Sequence, residues 1–293
     1  MVARGWFAPL LFVALTGTVW AQAQQRSDDD AADRASRHDS DEWRNVAPHL
    51  PDPNTATPAA LTVAADVLRA RRMQEDALDY YRYALQRGGD EAVLENDIGV
   101  TLLELQRLPE ARVAFQHALK LRPKAARDWN NLGATEYVSG NFRDALSDYL
   151  KAVKFDKKTA VFHSNLGTAY FELKDYESAR QQFKLAMRLD PNVFHGGGWS
   201  GIEAHVLSAS DHGRFCFEMA VMAAEQHDDQ SVLRWLARSS EAGFDIMGEM
   251  NGDKDLNPYR KDPRVAVIVR NARAMRTGQI ADSGLEPPQP DQP

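Results

Sequence analysis

Residues 129–152 read WNNLGATEYVSGNFRDALSDYLKA. Small residues stand at Gly133, Ala145 and Ala152, and the aromatic Tyr149 stands between the two alanines. Small side chains let two helices approach closely, while large ones fill the space beside them. The pair Gly140-Asn141 in the middle of the stretch favours a turn. The stretch therefore predicts two helices joined by a short turn.

The same pattern recurs along the chain with a period of 34 residues. Pro123 and Pro191 close two of the units, because proline cannot continue a helix. A more divergent first unit begins near Pro58. The columns contain Gly99, Gly133 and Gly167; Ala111, Ala145 and Ala179; Phe115, Tyr149 and Phe183; Ala118, Ala152 and Ala186; the first unit contributes Ala65, Ala77, Tyr81 and Ala84.

These columns resemble the tetratricopeptide repeat, above all in the runs from Trp129 to Gly133 and from Asn165 to Gly167. The resemblance covers about residues 58–193 and implies four tandem repeats in a right-handed, all-α solenoid of helical hairpins. Repeats of this kind commonly serve as protein-interaction scaffolds. The resemblance therefore implies binding of a protein or peptide partner.

The repeat register breaks after Pro191. Residues 194–212 are interpreted as a glycine-rich connector, and residues 213–278 as a divergent fifth repeat followed by a last helix from Val265 to about Met275. A stack of repeats must cover its final apolar face, so we expect this last helix to act as a cap. The proline-rich residues 279–293 are expected to be a disordered tail.

The amino-terminal region differs in composition from the repeats. Residues 1–23 combine a basic start, an apolar run from Trp6 to Trp20 and an Ala21-Gln22-Ala23 cleavage pattern, which together predict a secretory signal peptide. Cleavage after Ala21 would fit equally well. Residues 24–57 are rich in Asp, Ser and Pro and are expected to be a disordered acidic linker. We therefore expect a periplasmic or secreted protein, without stable membrane insertion after cleavage.

The net charge and the single cysteine argue against nucleic-acid binding and against cysteine chemistry. The formal net charge is −7, with 42 acidic and 35 basic residues, and no basic face is evident. Nucleic-acid binding usually requires such a face, so no nucleic-acid partner is predicted. The single cysteine, Cys216, lies between Phe215 and Phe217 and is expected to be a buried apolar residue.

The predicted binding surface is the concave face formed by the first helix of each hairpin. Asparagines there could pair with peptide groups, and apolar residues could accept side chains. The alternative is that Leu103, Tyr137 and Phe171 pack against the second helix of their own hairpin. A carboxylate clamp is not favoured, because Arg127 is the lone basic candidate beside Asn131 and Asn165. The predicted partner-binding residues are Asn96, Val100, Leu103, Arg127, Asn130, Ala134, Tyr137, Ser164, Thr168 and Phe171.

Three fragments resemble chemical sites. The string His195-Gly-Gly-Gly198 with Ser200 resembles an esterase loop, but Ile202 stands where a nucleophile motif requires glycine. Residues 251–257 begin like a calcium loop, yet Pro258 occupies the required glycine position. Scattered histidines near Cys216 match no zinc spacing: His195, His205, His212 and His227. We therefore predict no catalytic, cofactor-binding or metal-binding residues.

The sequence thus favours an exported scaffold that binds a polypeptide and performs no catalysis. One alternative is a structural component of an envelope assembly, such as pilus, secretion or outer-membrane machinery. The other is a hydrolase or metal-dependent accessory enzyme that uses residues 194–260.

Overall fold

The computed structural model describes residues 34–194 and 209–277. Within these ranges all regular secondary structure is helical. The chain divides into two compact units, residues 1–123 and 124–293. The expected fold class, an all-α solenoid of helical hairpins, is confirmed. Among the described residues, no helix is both long enough and apolar enough to cross a lipid bilayer.

The first unit contains two hairpins preceded by a short helical segment. Residues 34–38 are helical, and α1 (Asp41–Val46) runs into a turn of 3-10 helix (Ala47–His49). Hairpin 1 consists of α2 (Pro58–Ala70) and α3 (Gln74–Gln86). Hairpin 2 consists of α4 (Glu91–Glu104) and α5 (Leu108–Leu121).

The second unit contains three hairpins and a terminal helix. Hairpin 3 is α6 (Ala126–Val138) and α7 (Phe142–Phe155), and hairpin 4 is α8 (Ala160–Glu172) and α9 (Tyr176–Leu189). Hairpin 5 is α10 (Ala209–Glu225) and α11 (Asp229–Glu241). The short α12 (Ile246–Glu249) and a 3-10 turn (Asn257–Lys261) lead to α13 (Pro263–Thr277).

One turn geometry closes all five hairpins. In hairpin 3, Gly140 has a positive φ of 78°, and the next amide, of Asn141, donates to the carbonyl of Glu136 at 2.9 Å. In hairpin 5, His227 takes the same conformation, and the amide of Asp228 donates to Ala223 at 3.0 Å. This is the arrangement by which helices commonly end in a left-handed residue. The other turns have Arg72, Gln106 and Lys174 in this position.

Glycine and aromatic residues make the close contact inside each repeat. A Cβ atom added at Gly99 would lie 2.6 Å from the Phe115 ring, so the backbone itself forms the contact surface. Gly167 has the same relationship to Phe183. The alanine columns are fully buried in all three repeats, at Ala111, Ala118, Ala145, Ala152, Ala179 and Ala186. The packing predicted from the columns is therefore confirmed.

Hairpin 5 retains this packing with different residues. Counted from its turn, Ala220 replaces the glycine and Leu236 replaces the aromatic residue, and both are fully buried. Val232 and Ser239 occupy the two alanine positions and are also fully buried. The Ser239 hydroxyl donates to the carbonyl of Gly213 at 2.7 Å, which satisfies a polar group in the core.

The prediction of disorder over residues 24–57 is wrong for residues 34–57, the part that the structure describes. Arg34 forms ion pairs with Asp76 at 2.6 Å and Asp79 at 2.7 Å on α3. Ser40 caps α1 by accepting from the amide of Trp43, and Val46 is buried. These contacts offset the conformational entropy that the segment loses when it becomes ordered. The composition of the segment does not reveal them, because they depend on residues of α3.

Two helix boundaries differ from the predicted ones. Residues 209–212 belong to α10 rather than to the glycine-rich connector, so hairpin 5 begins before residue 213. The last helix extends from Pro263 to Thr277, slightly beyond the expected range. The predicted signal peptide (1–23), the rest of the connector (195–208) and the tail after residue 278 lie outside the described residues.

Candidate functional site

The ten residues predicted to bind a partner lie on the first helices α4, α6 and α8, as expected. The expectation that they form an exposed stripe is wrong for seven of them. Only Arg127 is exposed, while Val100 and Ala134 are half-buried. The buried residues are Asn96, Leu103, Asn130, Tyr137, Ser164, Thr168 and Phe171. That the ten residues contact a partner stays a prediction.

The two aromatic residues of this set pack partly against the second helix of their own hairpin and partly against the next hairpin. The Tyr137 ring lies 5.3 Å from Phe142 on α7, and the Phe171 ring lies 5.3 Å from Tyr176 on α9. The Tyr137 hydroxyl donates to Glu172 Oε1 at 2.9 Å. Burial, with the negative charge of Glu172, raises the pKa of the Tyr137 phenol. The alternative of packing against the second helix is therefore confirmed for both rings.

A set of asparagine side chains links hairpins 3 and 4 within the second unit. Asn165 Nδ2 donates to Asn130 Oδ1 at 2.9 Å. Asn130 in turn points its amide nitrogen at Asn131 Oδ1, at 3.5 Å. Asn131 and Asn165 are half-buried, and Arg127 lies one helical turn before Asn131. The accessible polar groups of this surface are therefore Arg127, Asn131 and Asn165.

Buried polar side chains concentrate on the first helices. Of fifteen buried polar or charged residues in the described chain, ten lie on α4, α6 and α8. Several are satisfied locally: the Thr101 hydroxyl donates to the Asp97 carbonyl at 2.7 Å, and His163 lies 2.8 Å from Gln182 Oε1. The ones missed by the sequence analysis are Asp97, Thr101, Asp128, Thr135, Glu136 and His163.

The sequence contains a signal for three of these residues. Thr101 and Thr135 lie 34 residues apart, each two residues after a glycine of the packing column. Asp97 lies two residues before Gly99 and shares its column with Asn131 and Asn165, of which Asp97 alone is buried.

Two of the three fragments that resemble chemical sites lie wholly or partly in the described residues. Cys216 is fully buried, as expected, with its Sγ 3.6 Å from His212 Nε2. In the 251–257 loop, Asp253 Oδ1 accepts from the amides of Asp255 and Leu256 at 2.9 Å, so this carboxylate stabilises a turn. Within residues 34–194 and 209–277, no group of three or more metal-ligating side chains comes together. His195, Ser200 and His205 lie outside the described residues.

Family comparisons agree with the hairpin geometry. Tetratricopeptide-repeat family models match residues 96–160 and residues 160–193. The chain is a tetratricopeptide-repeat protein. The matched region includes hairpins 3 and 4 in full and most of hairpin 2.

The curated relatives match only part of this chain and a small part of their own length. The tetratricopeptide-repeat chain is 28% identical over 98 residues to the Hsp70-Hsp90 organizing protein of Triticum aestivum, which covers 33% of the chain and 17% of the relative. It is 30% identical over 82 residues to the protein O-mannosyl-transferase TMTC3 of Homo sapiens. That alignment covers 28% of the chain and 9% of the relative. The chain thus spans about a fifth or less of these relatives' length.

Solved structures that are similar to the tetratricopeptide-repeat chain have low sequence identity to it. A structure from the functional characterization of Pseudomonas aeruginosa pilF is 17% identical, with a TM-score of 0.48, over 70% of this chain and 81% of that one. YrrB, described as a TPR protein with an unusual peptide-binding site, is 18% identical with a TM-score of 0.43, over 67% and 91%.

Proposed function

We propose that this tetratricopeptide-repeat protein is an exported, non-catalytic scaffold that binds a polypeptide along the first helices of its hairpins. The supporting observation is the set of accessible polar groups on α6 and α8: Arg127 is exposed, and Asn131 and Asn165 are half-buried. Asn165 Nδ2 donates to Asn130 Oδ1 at 2.9 Å, so the two helices hold these amides in a defined arrangement.

The polar groups suit a ligand that presents peptide bonds. A side-chain amide carries both donors and an acceptor, so Asn131 and Asn165 can pair with backbone N–H and C=O groups of an extended chain. Arg127 supplies a nearby positive charge for an acidic side chain or carboxylate of the ligand. Recognition would therefore depend on backbone contacts, with Arg127 adding selectivity for negative charge.

A site-specific crosslinking experiment tests this surface. A photoreactive amino acid replaces Arg127 on α6 in one variant and the exposed Arg143 on α7 of the same hairpin in the control. After irradiation in an envelope extract, we expect a polypeptide adduct from position 127 and none from position 143. Adducts of equal yield at both positions would contradict a binding surface on the first helices.

Substitution of the same two residues gives the energetic test. Once the crosslinked partner is purified, Arg127→Ala should weaken its binding about five- to hundred-fold, which corresponds to about 1–3 kcal/mol for a charge-assisted contact. Arg143→Ala should leave the dissociation constant unchanged. Equal affinity of both variants would move the binding site away from α6.

Export is proposed from the leader sequence. If residues 1–23 are a signal peptide, the mature protein should appear in an osmotic-shock fraction and begin at Gln22 or Gln24. Amino-terminal sequencing of the fractionated protein checks both points. Recovery of the full chain from Met1 in the membrane pellet would show that the apolar run is an anchor instead.

A further inference from the structure

The first unit contains an apolar groove that neither the repeat columns nor the proposed binding surface uses. Its volume is about 800 Å³, and it lies between α2 and the segment that follows α1. Val63 and Val67 on α2 are 61% and 43% exposed there. Its lining includes Val46, His49, Leu50, Ala64 and Arg71.

The repeat register shows what covers this helix face elsewhere in the array. In hairpin 4, Leu166 and Ala169 on α8 are buried in one cluster with Ala145 and Tyr149 of hairpin 3. Ala169 is fully buried, whereas Val67, its equivalent three repeats earlier, is 43% exposed. The face that receives a preceding helix in hairpin 4 is thus only partly covered in hairpin 1, where Ala64, the equivalent of Leu166, is buried and Val67 is exposed.

The composition of the adjoining segment argues against that segment as the occupant. Residues 22–33, which would begin the mature protein, read QAQQRSDDDAAD and contain no branched aliphatic or aromatic residue. Such a segment cannot fill an apolar groove. The groove lining contains Arg71 and His49 but no carboxylate. Arg71 forms an ion pair with Glu42, at 3.6 Å, and Glu42 lies outside the lining.

We propose that this groove binds one amphipathic helix of a partner protein. The partner helix would present small and aromatic residues with the spacing of Ala145, Tyr149 and Ala152, continuing the hairpin-to-hairpin interface of the array beyond its first repeat. From Ala59 to Arg71, α2 offers about 18 Å of length, enough for about three turns of a facing helix.

This surface is separate from the one proposed for polypeptide binding on α6 and α8. It uses apolar contacts on α2, whereas the other site uses amides and Arg127. The two proposals can therefore fail independently, because a substitution in one site leaves the residues of the other unchanged.

A peptide probe tests the groove in the full-length protein. The probe is a fluorescent helical peptide with the sequence of α7, residues 142–155, stapled on its outer face to hold the helix. We expect its binding, followed by fluorescence anisotropy, to weaken at least tenfold in Val63→Asp. The control is Val113→Asp on α5, because Val113 is 65% exposed and Val63 is 61% exposed. This control variant should bind the probe with unchanged affinity.

Four outcomes would overturn the proposal. One is unchanged probe affinity in Val63→Asp, and another is an equal loss in Val113→Asp. The third is a dimer of the unaltered protein that Val63→Asp converts to a monomer in sedimentation velocity, because a second copy would then occupy the groove. A peptide carrying Tyr149→Asp should not bind, and its binding would likewise contradict recognition of the aromatic column.

Discussion

Gly133 on α6 lies directly against the ring of Tyr149 on α7: a Cβ atom at residue 133 would be 2.8 Å from Tyr149 Cδ1. Tyr149 itself is only 3% exposed, so the ring has little room to move. The close approach of the two helices therefore depends on the absence of a side chain at this position, as it does at Gly99.

Replacing this glycine should destabilise the array. Gly133→Leu inserts four carbon atoms against a buried ring, so we expect a loss of about 1–3 kcal/mol or more in the free energy of unfolding. Urea denaturation followed by circular dichroism measures the change. Gly252→Ala is the control, because its added Cβ would meet only the Glu249 carbonyl oxygen, at 3.8 Å. Unchanged stability of Gly133→Leu would mean that the helix register is wrong.

The hairpin turns predict opposite effects of two substitutions. Gly140 and Gln106 are equivalent residues with positive φ values of 78° and 58°. Because a side chain is strained in this region, Gly140→Ala should cost about 1 kcal/mol, whereas Gln106→Gly should be neutral or slightly stabilising. Thermal melts of both variants test this. A loss of stability in Gln106→Gly would show that the Gln106 side chain stabilises the protein by more than the strain of its positive φ costs.

The cap of α4 should make stability depend on pH. The amide of Val93 donates to Asp90 Oδ1 at 3.2 Å, and Arg122 pairs with the same carboxylate. These interactions lower the pKa of Asp90 below its ordinary value of 3.8. A folded-state pKa below the unfolded one means that the carboxylate stabilises the protein above pH 3.8 and loses this effect as pH falls through the folded-state pKa.

Asp90→Ala should accordingly melt at a lower temperature than the unaltered protein at pH 7, and this difference should shrink as the pH is lowered below 4. Asp90→Asn keeps an oxygen that can cap the helix, so it should recover part of the loss and show less pH dependence. A difference in melting temperature between Asp90→Ala and the unaltered protein that stays constant from pH 7 to pH 3 would contradict a role for the charge.

Hairpin 5 is joined to hairpin 4 through a buried carboxylate. Glu218 on α10 is fully buried, pairs with Arg180 of α9, and accepts from Arg214 Nε at 2.7 Å. Arg214 also stacks over the Tyr176 ring, 4.0 Å from its centroid. These contacts attach the divergent hairpin to the repeat that precedes it.

Removing the carboxylate should leave each arginine with one more exposed partner, Glu177 for Arg180 and Glu249 for Arg214. We expect Glu218→Ala to cost about 2–4 kcal/mol, less than the ~3–5 of a fully buried pair, because the Arg180 and Arg214 side chains retain 17% and 21% exposure. Hydrogen exchange should show the loss first in α10 and α11. The double variant Glu218→Met with Arg180→Met should recover part of it. No recovery would indicate that Arg214 carries the main interaction.

Much of the fold follows from short-range patterns that need no tertiary information. The 34-residue spacing of Gly99, Gly133 and Gly167 identifies the hairpins, and Pro123 and Pro191 each lie two residues beyond the last residue of a helix. These features are readable because helix packing imposes residue size at fixed intervals and proline removes a backbone donor.

The accessibility of the candidate site was decided by the tertiary structure. Helical periodicity places Tyr137 and Phe171 on the first helices, but the rings turn toward Phe142 and Tyr176 of their own hairpins. Likewise, the acidic composition of residues 24–57 predicts a disordered linker, yet Arg34 forms ion pairs with Asp76 and Asp79 on α3. Periodicity and composition are local properties, whereas burial depends on which helix lies opposite. For this reason, Val67 is exposed while its equivalent Ala169 is buried.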